Sequence, residues 1–215
     1  VLIVAITSNR GLCGAFNANV IKHTQQMIAE KYDGANVTVY GIGKKGADAF
    51  ANKNMLNRDV LPENPFHIFD DLIFENSSKI SSTIMESFVD KTFDQVVLVY
   101  NSFKNAAVQI VKEEQYLPVE QNKETSGSSI NYIFEPDESE ILEDLIPRSL
   151  AVQLYKSLLD SNAAENGARM TAMHKATDNA DDLLKELKLT YNKLRQAAIT
   201  NEILEIVGGA EALSS

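Results

Sequence analysis

The turn Thr7-Ser8-Asn9-Arg10-Gly11-Leu12-Cys13-Gly14-Ala15-Phe16-Asn17 is the densest run of residues that could do chemistry. A glycine-rich turn between a first strand and a helix is where dinucleotide-binding folds hold phosphate. Gly11 and Gly14 lack the spacing of the three-glycine fingerprint, and no Lys–Ser/Thr pair follows as in a Walker loop. The expectation is a tight strand-to-helix turn, with nucleotide or phosphate binding as the alternative. Cys13 lies near a helix N-terminus, where a thiol nucleophile is one reading. None of His23, His67 and His174 can be paired with it from sequence, so a small packing residue is expected. His174 has no His-x-x-x-His or Glu-x-x-His around it, and no metal site is expected. The pairs Asp70–Asp71, Glu143–Asp144 and Asp181–Asp182 are adjacent in sequence. Adjacent helical side chains point about 100° apart, so these pairs do not make an acid/base dyad across a substrate. No catalytic residue and no cofactor is expected.

Composition narrows the class. A net charge of −10 argues against nucleic-acid binding, which needs Lys and Arg gathered on one face. One cysteine excludes an internal disulfide and suits a reducing compartment. The sequence opens at Val1 inside the apolar run VLIVAI, without a Met, and is taken as a fragment or a processed product. That run is too short for a membrane span and has no basic region before it.

The elements that would carry these residues alternate. Residues 1–7 form a continuous β-branched run, the mark of a strand covered on both faces. AFNANVIKHTQQMIAEKY follows as a helix with Val20, Ile21, Met27 and Ile28 near one face. NVTVYGI reads as a second strand and GKKGADAFANK as a short helix. This alternation predicts an α/β layer fold with parallel neighbours. A Pro-punctuated link holds a possible short strand around Leu56–Leu61. Residues 70–90 read as a helix with Asp70 and Asp71 in its first turn, where acids complement the helix dipole. DQVVLVYNSF and AAVQIVKEEQYL are strands separated by a few residues, hence an antiparallel hairpin and a mixed sheet. Residues 118–130 read as a flexible polar loop and NYIFEP as a last edge strand. The domains expected are an α/β part over 1–136 and a long helix over 137–215.

That helix dominates the last third. After Pro147, which either begins it or kinks one begun near Asp137, there is no proline, and Gly167 is the only glycine before Gly208–Gly209. Roughly 60 residues give a rod on the order of 90 Å, too long to lie within a compact domain of this size. Met173, Thr177, Ala180, Leu184, Leu187, Tyr191, Leu194 and Ala198 recur by alternating steps of four and three. This heptad seam selects a left-handed coiled coil, whose second strand must come from another chain or from a part of this protein outside the sequence. Beyond it, Ile199, Ile203, Ile206, Ala210 and Leu213 make an apolar tip, which predicts insertion into a partner's cavity.

Two blocks carry a resemblance. VAITSNRGLCGAFNANVIK lies near the front, and ENGARMTAMHKATDNADDLLKELKLTYNKLRQAAITNEILEIVGGAEAL ends the chain. Within the second stand Ile199, Thr200, Glu202, Glu205, Gly209, Ala210 and Ala212, a filled family signature. The chain resembles the gamma subunits of rotary ATP synthases. The resemblance implies an α/β; Rossmann-like mixed sheet flanked by helices, with one long C-terminal helix paired to an N-terminal helix that this sequence does not contain. It implies a non-catalytic rotor shaft that couples proton-driven rotation to ATP synthesis or hydrolysis on beta subunits. The partners implied are the alpha and beta subunits of the catalytic ring, the epsilon subunit, the membrane rotor ring of c subunits and the chain's own N-terminal helix. Arg195, Gln196, Thr200 and Glu202 would face the beta-subunit loops. Without cysteines in 118–130, a redox-regulated insert is not expected, and the implied setting is the cytoplasmic face of a bacterial inner membrane. A small nucleotide-binding protein using Gly11–Gly14 and an unrelated coiled-coil interaction module are the alternatives.

Overall fold

The computed structural model describes residues 1–51, 65–119 and 137–214. These hold four strands and four α-helices: β1 (Leu2–Ile6), α1 (Phe16–Lys31), β2 (Thr38–Ile42), α2 (Lys44–Ala51), α3 (Phe74–Val89), β3 (Val96–Asn105), β4 (Val108–Leu117) and α4 (Glu138–Ser214). The strands form one mixed sheet in the order β2-β1-β3-β4. β1 runs parallel to β2 and to β3, with Val4 opposite Tyr40 and Leu98. β3 and β4 are antiparallel, joined at Ala106–Ala107. The α/β fold with a mixed sheet and a long C-terminal helix is thus as expected from the residues.

Why β1 lacks a polar residue is plain from its surroundings. Alternate strand side chains point to opposite faces. Leu2, Val4 and Ile6 enter one core with Ile80 and Ile84 of α3 and Leu150, Leu154 and Leu158 of α4. Ile3 and Ala5 enter the other with Val20 and Met27 of α1 and Phe50 of α2. Both faces are covered, so the strand is apolar throughout. The polar Thr24 is also buried on the inner face of α1.

One helix start differs from expectation. α3 begins at Phe74, and its first-turn acid is Glu75, not Asp70 or Asp71. Residues Pro65–Phe69 form a 3-10 turn that Asp70 closes, its N–H donating to the His67 carbonyl at 3.1 Å. Ile73 is extended (φ −105°, ψ 158°) and donates to the Asp71 carbonyl at 3.0 Å, so the two aspartates serve the turn ahead of the helix. The strands considered at Leu56–Leu61 and NYIFEP, and nearly all of the 118–130 loop, lie outside the described residues.

Pro147 does not start α4 but sits within it. A proline inside a helix removes one N–H and crowds the carbonyl four residues earlier. That carbonyl belongs to Glu143, on an exposed turn open to solvent. Gly208 and Gly209 do not end the helix either. The chain divides into two compact units, Val1–Thr171 and Ala172–Ser215. The first holds the sheet and the packed part of α4; Phe74 and Tyr155 meet there edge to face at 5.7 Å.

Candidate functional site

Two places had chemical promise: the turn after β1 and the far part of α4. The turn is built as a connector. Gly14 is left-handed (φ 59°), and so is Leu12 (φ 63°), whose side chain is 74% exposed. Gly11 is not left-handed, so the sequence placed one of the two strained positions and missed the other. Asn17 ties the turn shut. Its Oδ1 accepts from the Ser8 backbone N–H at 2.9 Å and its Nδ2 donates to Ser8 Oγ at 2.8 Å.

Cys13 is buried with Phe16 against Ala164 and Ala168 of α4. Its Sγ accepts from Asn17 Nδ2 at 3.2 Å. Two of the three histidines are engaged elsewhere: His23 Nε2 lies 3.4 Å from Glu113, and His67 Nδ1 lies 3.2 Å from Asp70. In open α/β sheets, ligands sit beyond the strand carboxyl ends where the strand order reverses. Here that point lies between β1 and β3. It is filled by protein: Asn101 of β3 donates through Nδ2 to the Phe16 carbonyl at 3.0 Å, and the Cys13–Phe16–Ala164–Ala168 cluster stands beside it. The geometry gives the turn a packing role. Among the described residues no His, Cys, Asp or Glu group is arranged to hold a metal.

The second unit, Ala172–Ser215, is helical through Ser214. From Met173 to Ala210 every side chain is exposed. The heptad seam is therefore an open apolar stripe, with Leu187 59% and Leu194 66% exposed. A helix this long, bearing such a stripe, finds its stability in packing rather than in helix propensity.

Arg195, Gln196, Thr200 and Glu202 are all exposed here. At 100° per residue, Arg195 and Glu202 fall within about 20° of each other, Arg195 at the border of the seam and Glu202 on its line. Gln196 and Thr200 fall within about 40° of each other on the opposite side. The four do not make one patch; they make two, on different faces. Past Ala198 the seam's line is taken up by Glu202, Glu205, Gly209 and Ala212, which are charged or small. The apolar stripe, now Ile199, Ile203, Ile206 and Ala210, has moved around the helix by about 100°. The seam thus ends at Ala198, and a second apolar face begins.

Comparison with known proteins matches this chain across nearly its full length. The family model described as ATP synthase covers residues 1–213. A protein of Christiangramia forsetii named ATP synthase gamma chain is 54% identical over 214 residues, spanning all of this chain and 73% of the relative. One of the same name from Flavobacterium johnsoniae is 56% identical over 215 residues, with the same coverage. Among solved structures, the fold is similar to a chain of the Euglena gracilis mitochondrial ATP synthase (OSCP/F1/c-ring, rotational state 3), with TM-score 0.69 and 22% identity over 99% of this chain and 72% of that one. It is also similar to a chain of the Tetrahymena thermophila mitochondrial ATP synthase central stalk and c-ring, with TM-score 0.59 and 24% identity over 82% of this chain and 75% of that one.

Proposed function

Because the chain belongs to the ATP synthase gamma chain family, we propose that it is the central rotor shaft of that complex and carries out no bond chemistry itself. The observation that carries the reading is the exposed seam on α4 followed by an exposed apolar tip, a surface made for partners and not for substrate. A second helix is the fitting occupant of the seam, supplied by the part of the protein that the matched relatives carry outside the shared 73%. Pairing also makes a rod stiff enough to carry torque.

Nucleotide would be turned over on the beta subunits. The two polar patches of α4 lie on different faces, so at any rotor angle Arg195 with Glu202 and Gln196 with Thr200 meet different members of the ring. Rotation exchanges those contacts and shifts each site between open and closed forms, a population shift driven by differential contacts. The partners in this reading are the alpha and beta subunits, the epsilon subunit and the c-ring, at the cytoplasmic side of a bacterial inner membrane. No helix of the described residues is long and apolar enough to cross a membrane, so attachment would be through the other subunits.

The test is reconstitution. The full-length chain is mixed with its alpha and beta subunits, with and without Arg195→Ala plus Gln196→Ala, which removes one residue from each patch. Assembly at one copy per ring, with slower ATP turnover in the double variant, is expected. Assembly with unchanged turnover would remove these contact residues, and failure of the unaltered chain to assemble would remove the shaft reading.

A further inference from the structure

The β3–β4 turn holds α4 by three different means. The Phe103 backbone N–H donates to Asp160 Oδ1 at 3.1 Å. Thr171 Oγ1 reaches the Ala106 carbonyl at 2.9 Å. Between them is Gly167, buried, where an added Cβ would lie 3.0 Å from Phe103 Cε2 and 3.1 Å from Ala106 Cα. Positions 160, 167 and 171 are spaced by seven and four, so they share one face of the helix.

Glycine in a helix interior is less favourable than alanine. Here the missing side chain lets the turn seat directly on the helix backbone. The turn is itself fixed: Asn105 Oδ1 accepts from the N–H groups of Ala107 at 3.0 Å and Val108 at 2.7 Å. Gln109 Nε2 donates to the Ala106 carbonyl at 3.0 Å. On the neighbouring face of α4, Ala164 and Ala168 pack with Cys13 and Phe16. α4 is therefore gripped on two adjoining faces over its last packed turns, and Thr171 is the last residue of the first unit.

We propose that the β3–β4 turn is a torsional clamp, which fixes the rotation of α4 about its own axis to that of the sheet. The proposal rests on the shaft reading above. Under torque a helix twists in proportion to its free length. The large aliphatic contacts of α4 with the sheet core end at Leu158. The clamp carries the anchorage on to Thr171, about 20 Å further along the axis. It removes that length from the part that can twist. Asp160 and Thr171 act through backbone atoms of the hairpin, so they are positioning residues, and Gly167 sets the distance.

The measurement is the angular spread of a bead fixed to the α/β unit of the full-length chain in its assembled complex, the catalytic ring held on a surface and turnover stopped. Gly167→Leu keeps a good helix former in place but forces the turn off α4. Thr171→Ala removes one hydroxyl. Both are expected to widen the angular distribution, Gly167→Leu more, while particles given ATP still hydrolyse it. Distributions equal to that of the unaltered complex would overturn the clamp and leave the shaft reading standing. An unaltered chain that neither assembles nor turns would remove the shaft reading instead. Should Gly167→Leu fail to assemble, Thr171→Ala decides alone: an unchanged spread overturns the clamp.

Discussion

At the residue scale, conformational limits decide more than chemistry does. Gly43 is left-handed (φ 101°), and a Cβ there would fall 2.1 Å from the Thr7 carbonyl oxygen. Gly43→Ala therefore meets both backbone strain and a hard contact, and is expected to destabilise the chain by about 2–4 kcal/mol in urea unfolding. A midpoint within error of the parent would refute this. Glu113 is a milder case. Its ion pair with Lys31, joined by His23, links α1 to β4. The Lys31 hydrogen bond holds the Glu113 carboxyl below its ordinary value. A depressed carboxylate contributes stability that is present above the unfolded pKa near 4.3 and is lost as pH falls through the lower folded value. Glu113→Gln should thus lower stability at neutral pH by no more than about 1 kcal/mol, because the pair is exposed. The deficit should close on acidification below pH ~4. A deficit that persists there would mean that the effect is not electrostatic. Asn17 and Asn101 were not legible as important from sequence, since their partners Ser8 and the Phe16 carbonyl are set by how the turn and β3 fold back.

At the scale of elements, the strands and helices with a clear period were legible, and the reasons for the exceptions are local. β1 could be read as covered on both faces because it has no polar side chain, and the hairpin because only a few residues separate its β-branched runs. The start of α3 was misread because Asp70 and Asp71 look like first-turn acids. Instead the Asp70 N–H closes the preceding 3-10 turn, and the Asp71 carbonyl accepts from Ile73 ahead of the helix. The seam of α4 was legible because a heptad is a property of one segment. The clamp was not: Gly167 reads as an isolated glycine until the hairpin is seen against it, and contacts of 57 to 65 residues' separation leave no local signal. The seam yields its own prediction. Leu184→Ala with Leu187→Ala removes two seam side chains that are more than half exposed. The unfolding free energy of the chain should stay within about 0.5 kcal/mol of the parent. Assembly of the complex, in which the proposed second helix would cover the seam, should weaken. A loss of the chain's own stability of the size usual for buried leucines, about 2–5 kcal/mol each, would show that the seam is already covered within it.

At the scale of the molecule, the two units differ in what sustains them. Residues Val1–Thr171 contain both sheet cores and the cluster around Cys13. In Ala172–Ser215, Met173 to Ala210 are exposed without a break. The cooperative free energy of folding must therefore come from the first unit, while the helix beyond Thr171 gains little from apolar burial. Denaturant sensitivity scales with the surface newly exposed on unfolding, and helix with no packing partner exposes little more when it melts. A chain ended after Thr171 is expected to unfold with the midpoint and slope of the whole chain. The whole chain should show, in addition, helical circular dichroism that declines gradually before the main transition. A lowered midpoint in the shortened chain would place part of the stability beyond Thr171. Agreement would mean that folding and partner recognition are divided along the sequence: one stretch encodes a self-sufficient α/β unit, and the other encodes a helix whose order depends on what covers its seam.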